Sequence, residues 1–406
     1  MQEAARKDIE ALAPAVELAC ACCMWPPSAR RDERVRAAAA HVDWERFLRV
    51  AARQRVQGLA QAALSAAGVR PPNDAGAALK DAARAISVRG LMVAAESVRL
   101  QGRFEAVGVA PVFVKGAALA ELAYGSLSLK HSRDIDVLVA PADAERALAL
   151  LEAEGYALVA PRGPLTPAQR RIVLRQHKDI ELWSPERRQS VELHWRLVDN
   201  PALLAGVGVG SPKQAVAVLK GRLTTLADAE LFAYLCVHGA THAWFRLKWL
   251  ADLGAWLAGK TPGEILALHA AAERLGVGDC AGQALRLCRD LLGLALPPDL
   301  GPALDAPRVR RLAAGALDAM AGGEGELELE QRRFGPFRLL PMQFARGRGA
   351  RFVAAQIGLL VDSVDDRIEV PLPPALSFLY PVLRLPLWLA RVRRRRRAGL
   401  AASPPA

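Results

Sequence analysis

Apolar and polar positions follow a helical period over most of this chain and a period of two over a short central part. From 44 to 68, WERFLRVAARQRVQGLAQAALSAAG repeats its apolar residues every three or four positions and stops at a glycine suited to end a helix. RPPND follows as a linker, and a second helix is expected from about Ala75 to Val107, with Gly108 as its stop. The texture then changes. APVFVKG (110–116) is a short β-branched and aromatic run, and AALAELAYG (117–125) reads as a helix ending at Gly125. RDIDVLVA (133–140) reads as a strand closed by Pro141, and DAERALALLEAEG (143–155) as an amphipathic helix. HKDIELWS (177–184) and SVELHWRL (190–197) alternate and are joined by PERRQ, which predicts a hairpin. Strand, helix, strand, helix and hairpin in that order mark a compact mixed unit from about 108 to 200. After PKQ (212–214) helical text resumes, with one long stretch at 226–259 and further helices to about 320. Four regions follow: an N-terminal helical region (1–107), the mixed core (108–200), a C-terminal helical domain (201–340) and an apolar, Arg-rich tail (341–406).

Composition changes this picture in three places. Hydrophobic residues make up 52% of the 406 and aromatics 5%, so the cores rest on Ala, Leu and Val. MQEAARKDIEAL carries acids and no uninterrupted apolar stretch, so no secretory signal is expected and the cytoplasm is the plain location. The six cysteines read as reduced thiols in helices; CACC (20–23) lacks a following His or Cys pair at finger-like spacing. The net charge of +12 is uneven, since 341–406 holds eleven Arg and no Lys against four acids, above all in RVRRRRR (391–397). LPPALSFLYPVLRLPLWLARVRRRRRAG (372–399) contains four prolines and Arg384 within its apolar part, which argues against a transmembrane helix. Two readings stay open for it. It is an interfacial segment with Tyr380 and Trp388 on its apolar side, peripheral at an anionic inner membrane face, or it wraps back over the globule. Nucleic-acid binding ranks third, because no aromatic platform accompanies the arginines.

The chemistry sits in the strand text. Asp134 and Asp136 are one residue apart, so both carboxylates leave one face of a strand and Ile135 and Val137 leave the other. Like charges so placed repel unless a cation lies between them, and an oxygen-only donor set suits Mg²⁺, which completes its shell with water and phosphate oxygens. A pair of metals ~4 Å apart can steady the entering and leaving oxygens of nucleotidyl transfer, and such a site needs a third carboxylate. Glu192 is the candidate: it lies among Val191, Leu193 and Trp195, where a charge needs a reason, and His194 shares its face. The bland alternative for D-x-D alone is a surface strand with a wet polar face.

The stretch VKGAALAELAYGSLSLKHSRDIDVLVAPADAERALALLEAEGY, followed by VELHW, resembles the polymerase-beta-type nucleotidyltransferase superfamily, and within it the bacterial uncharacterised nucleotidyltransferase family. The resemblance covers about 112–197 and rests on a K-G-x-A-L turn, a Y-G, a basic residue, the D-I-D strand, a helix ending in G-Y, and E-x-H-W. HGATHAWFRLKWLADL (238–253) is similar to the family's helical half. The resemblance implies an α+β fold: a polymerase-beta-type core with a small mixed sheet and flanking helices, set between helical regions. It implies transfer of a nucleoside monophosphate from an NTP to an acceptor, with two Mg²⁺ ions on Asp134, Asp136 and Glu192. Glu192 would also take the acceptor's proton. Gly116 would let the backbone approach the triphosphate at a helix N-terminus, and Lys115, Lys130 and Arg133 would neutralise phosphate charge. The sequence departs from the family in its Gly116-Ala117 turn, where Gly-Ser is common, in the long interval from Gly116 to Asp134, and in Lys130, where arginine is common. These touch the grip on triphosphate and leave the metal ligands intact.

His238 and His242 share one helix face without the Glu of a zinc helix. They line the cleft, with His194, as contacts to nucleotide or acceptor, or they are packing histidines with Asp252 as a partner; the sequence leans to packing. A small molecule, a protein side chain or an RNA end would each serve as acceptor. The rival from another class is a non-catalytic nucleotide-binding scaffold or regulatory protein that docks to a membrane or partner through its tail.

Overall fold

The computed structural model describes residues 14–161, 165–321 and 335–399. The opening MQEAARKDIEAL and the closing SPPA lie outside the described residues. Helices α1 (Pro14–Cys22), α2 (Ala29–Ala39), α3 (Trp44–Gln54) and α4 (Gln57–Ala66) precede the long α5 (Asn73–Ala106). The expected helix at 44–68 is thus two helices. Asp43 caps the start of α3, and Arg55 ends it in the left-handed region at φ 56°, its N–H turning back to the carbonyls of Ala51 and Ala52. All six cysteines are buried and unpaired, and burial pushes the Cys20 thiol up to about 12.

The central unit begins with β1 (Val112–Phe113), α6 (Gly116–Tyr124), β2 (Asp134–Leu138), α7 (Ala144–Ala153) and β3 (Ala157–Ala160). It continues through α8 (Pro167–Gln176), β4 (Asp179–Ser184) and β5 (Gln189–His194). The strands form a mixed sheet in the order β1-β2-β5-β4-β3. Among the described strands of this sheet only β2 and β5 pair in parallel; the other pairs are antiparallel. The hairpin expected at 177–197 is present, and the sequence reading lacked β3 and α8. One sheet face is apolar. Ile135, Val137, Ile180, Leu182, Val191 and Leu193 pack there with Leu148 and Leu151 of α7 and Leu100 and Phe104 of α5. The opposite face carries the charged residues.

Residues 213–226, read above as a return to helix, form instead a ribbon of β6 (Lys213–Val218) and β7 (Gly221–Leu226). Val216, Val218 and Leu223 alternate onto the apolar core, a period of two hidden inside Ala- and Leu-rich text. The long helix at 226–259 is also two pieces, α9 (Asp228–Thr241) and α10 (Leu247–Ala258). With α11 (Pro262–Arg274) and α12 (Gly278–Leu292) they build a second core that takes in α1 and α3. Helix α6 joins the two cores: Leu119 and Ala123 face the helical one, Ala117 and Ala120 the sheet.

After α13 (Gly301–Leu304) and α14 (Pro307–Ala321), the chain is described again through α15 (Gly335–Ala345), α16 (Gly349–Val361), α17 (Val364–Glu369) and α18 (Tyr380–Gly399). This last layer is tied to both cores. Asn200 donates to the Phe352 carbonyl at 3.2 Å, Gln169 to the Ile368 carbonyl at 3.2 Å, and Arg348 pairs with both oxygens of Asp279. Tyr380, expected on an outward apolar side, is buried; its hydroxyl donates to the Val370 carbonyl and accepts from the Leu372 N–H, both at 2.9 Å. A phenol with two backbone partners is better satisfied inside than at a wet surface. Among the described residues no helix is long and apolar enough to cross a membrane.

Candidate functional site

The parallel β2–β5 pair sets the site. Asp136 stands directly opposite Glu192, Asp134 opposite Ser190, and Leu138 opposite His194. On the other side of β5, Asp179 stands opposite His194 and Glu181 opposite Glu192. Paired residues share a sheet face, so one face carries five carboxylates and an imidazole, three of the carboxylates lying about His194. Donor atoms of Asp136, Glu192 and His194 lie within 4.8 Å of one another. Asp134 is one pleat away, half-buried and outside this tight group.

Among the described residues Lys115, His194 and Lys178 pair with these acids, Lys178 through Asp179. Lys115 Nζ lies 2.6 Å from Asp136 Oδ1. His194 is wedged with Nε2 3.5 Å from Asp136 and 3.4 Å from Glu192, and Nδ1 3.4 Å from Asp179. Burial opposes charge on the imidazole, but the three carboxylates outweigh it and raise its pKa to about 9. Burial also opposes the charge on Asp136; the Lys115 ammonium and His194 overcome it and hold the carboxyl well below its ordinary range. Glu192 goes the other way. Burial first, then the Asp136 charge, raise its pKa.

Lys115 occupies the last position before α6, and Gly116 opens that helix at φ 58°, in the left-handed region that favours glycine. This brings the start of α6 beside the carboxylates. A Cβ on Gly116 would meet only ordinary space, 3.9 Å from the Asp134 carbonyl, so the backbone conformation and not crowding demands glycine.

The remaining expected residues are spread more widely. Arg133 is exposed at the head of β2. Lys130 is buried and pairs at 3.2 Å with Asp252, which also accepts from the Tyr124 hydroxyl at 3.0 Å. Asp252 is therefore not the partner of His238 or His242. These two rings lie 4.8 Å apart with their planes tilted by 60°, and 5.3 and 5.1 Å from Trp249. Burial, then the Lys115 charge, depress both imidazoles, His242 to about 3. They are neutral, buried beside Trp249, and close enough to Lys115 to feel its charge.

Sequence reasoning missed several neighbours. Asp179 and Glu181 repeat the D-x-D spacing within HKDIELWS, a signal available in the text. Lys248 of α10 offered none. It is buried, donates to the His131 carbonyl at 3.4 Å, and is lowered to about 7 by burial and then by Lys130, with Asp134 opposing. Arg55 is likewise lowered by burial and by Arg133, with Asp134 opposing. Cations from three separate segments thus ring the Asp134 end of the site.

A divalent ion fits this set. Both nitrogens of His194 are buried without a hydrogen bond of good geometry, and Asp136 Oδ1 has only its ion-pair contacts with Lys115 and His194; paired carboxylate oxygens are ligands for such an ion. Asp136 and Glu192 would hold it, and His194 could join them only after losing the proton that the three carboxylates hold on it. A family model described as uncharacterised nucleotidyltransferase matches residues 40–293. Comparison with curated proteins and with solved structures returns no match.

Proposed function

Because this chain belongs to the uncharacterised nucleotidyltransferase family, we propose that it moves a nucleoside monophosphate from an NTP to an acceptor and releases pyrophosphate, on a polymerase-beta-type core. The observation that carries this reading is the side-by-side placement of Asp136 and Glu192 across a parallel strand pair, with donor atoms close enough to share an ion. Mg²⁺ is the metal, two ions strong, with Asp134 serving the second from its half-buried position. When bound, the metal would supply charge to the α-phosphate and the leaving oxygen.

The chain's own groups have distinct tasks. Glu192, its pKa raised by burial and by Asp136, is placed to take the acceptor's proton. Lys115 and the first amides of α6 bring positive charge to the phosphates. Lys248, Arg55 and Arg133 receive the departing pyrophosphate at the Asp134 end. His238, His242 and Trp249 form an aromatic wall against which a base or an acceptor lies. The placement of Glu192 weighs against the rival scaffold reading: its carboxylate shares the site with Asp136 although the Lys115 ammonium already neutralises Asp136.

The test is incubation with each α-labelled NTP and Mg²⁺ in the presence of cell extract, scored as label on an acceptor and pyrophosphate released. Asp136→Asn and Glu192→Gln are expected to lower transfer on the order of 10²-fold or more. Calorimetry separates the rival. A scaffold binds Mg²⁺–NTP and transfers nothing with any of the four nucleotides.

A further inference from the structure

The C-terminal layer carries a feature that nucleotidyl transfer does not use. Helix α16 turns Phe352 and Gln356 inward and leaves Val353, Ile357 and Leu360 exposed at four- and three-residue spacing. Phe378, just before α18, is 71% exposed, and on α18 Val382 is 72%, Leu385 62% and Leu389 41% exposed. Positions 378, 382, 385 and 389 recur at helical spacing and so form one stripe. Large apolar side chains this open, in a row, mark a surface that something covers.

The stripe is aimed outward by a clasp on the other side of the helix. Asp366 of α17 is fully buried and pairs with Arg384, at 3.3 Å, and with Arg391. Glu369 pairs with Arg391 at 3.1 Å and with Arg394. At 3.6 residues per turn, Arg384 and Arg391 lie about 140° around α18 from the centre of the stripe. Buried ion pairs of this kind fix orientation. Exposed Arg393 continues the apolar side, and the sequence there reads RVRRRRR over 391–397.

We propose that this face docks on the surface of an anionic lipid bilayer, with the Phe378–Leu389 stripe in the acyl boundary and the basic end of the chain, from exposed Arg393 onward, at the headgroups. The charge names the partner. The segment 341–406 has eleven Arg against four acids, and a polybasic end on an apolar stripe complements a negative leaflet. A second copy of the chain would bring the same positive surplus against itself. Attachment is peripheral, since no described helix is long and apolar enough to span. The proposal stands independently of the transfer reaction.

Flotation of the full chain with vesicles of phosphatidylcholine alone, or with about a third phosphatidylglycerol, tests it. The chain is expected to float with the anionic vesicles, not with the neutral ones, and less at high salt. V382E/L385E is expected to lose at least tenfold in bound fraction while keeping its thermal unfolding midpoint, both positions being solvent-facing. Absence of flotation with either vesicle overturns the proposal, and so does unchanged flotation of the variant. A wild-type dimer in light scattering that the variant returns to monomer, without flotation, assigns the stripe to a second copy and overturns it equally.

Discussion

A single oxygen, Asp136 Oδ1, meets both the Lys115 ammonium and the His194 imidazole, in a position with almost no access to water. Removing one partner of such a pair leaves the other charge buried and alone, which costs roughly 3–5 kcal/mol. Lys115→Met is therefore expected to lower the stability of the metal-free protein by about 3 kcal/mol. Added Mg²⁺ should narrow that gap, since an ion bound only by the folded state supplies the missing charge; urea titrations with and without Mg²⁺ measure both numbers. Acid acts on different residues. His131 and His242 are each depressed to about 3, by burial and then by nearby lysines, so they fold neutral and charge only when unfolded. The unfolded chain then binds more protons below about pH 6.5, and stability falls as pH drops from there towards 3. Replacing either with Gln should flatten the slope of unfolding free energy against pH, between 6.5 and 4.5, by about one proton.

At the scale of elements, the strand text was legible and the pairing was not. The period of two in 133–140, 177–184 and 190–197 gave three strands and the polar face of each. That Asp136 would sit beside Glu192 depends on a parallel pairing across more than fifty residues, which no local pattern encodes. The break between α9 and α10 was hidden for a similar reason. Trp244 folds back so that its N–H donates to the Gly239 carbonyl at 2.8 Å, and its indole lies where a Cβ on Gly239 would be, 2.2 Å away. The turn is made by a ring finding a gap, not by a breaker residue. Gly239→Ala should displace that fully buried indole and destabilise by about 1–3 kcal/mol, shifting His238 and Trp249 with it. Gly116→Ala is expected to cost about 1–2 kcal/mol through its positive φ alone, with more lost in NTP affinity than in stability. Denaturation and nucleotide calorimetry on each variant separate the two effects.

For the whole molecule, the Arg-rich end is structural. Asn200, Gln169 and Asp279, from three distant parts of the chain, each bond to residues after 340. Deleting 341–406 should therefore lower the thermal midpoint by several degrees, read by calorimetry, because buried polar groups lose their partners at about 1–3 kcal/mol each. Composition alone marked this segment as charged and apolar; the buried Asp366 clasp beneath it has no signature in a lone sequence. The parallel joining of β2 and β5 also governs when the protein becomes competent. During synthesis the aspartates are made first and must wait for α7, β3, α8 and β4 before β5 can slot in beside them. A growing chain thus lacks the Asp136–Glu192–His194 cluster until about half of it has been made, so a fragment that ends before His194 carries no assembled site.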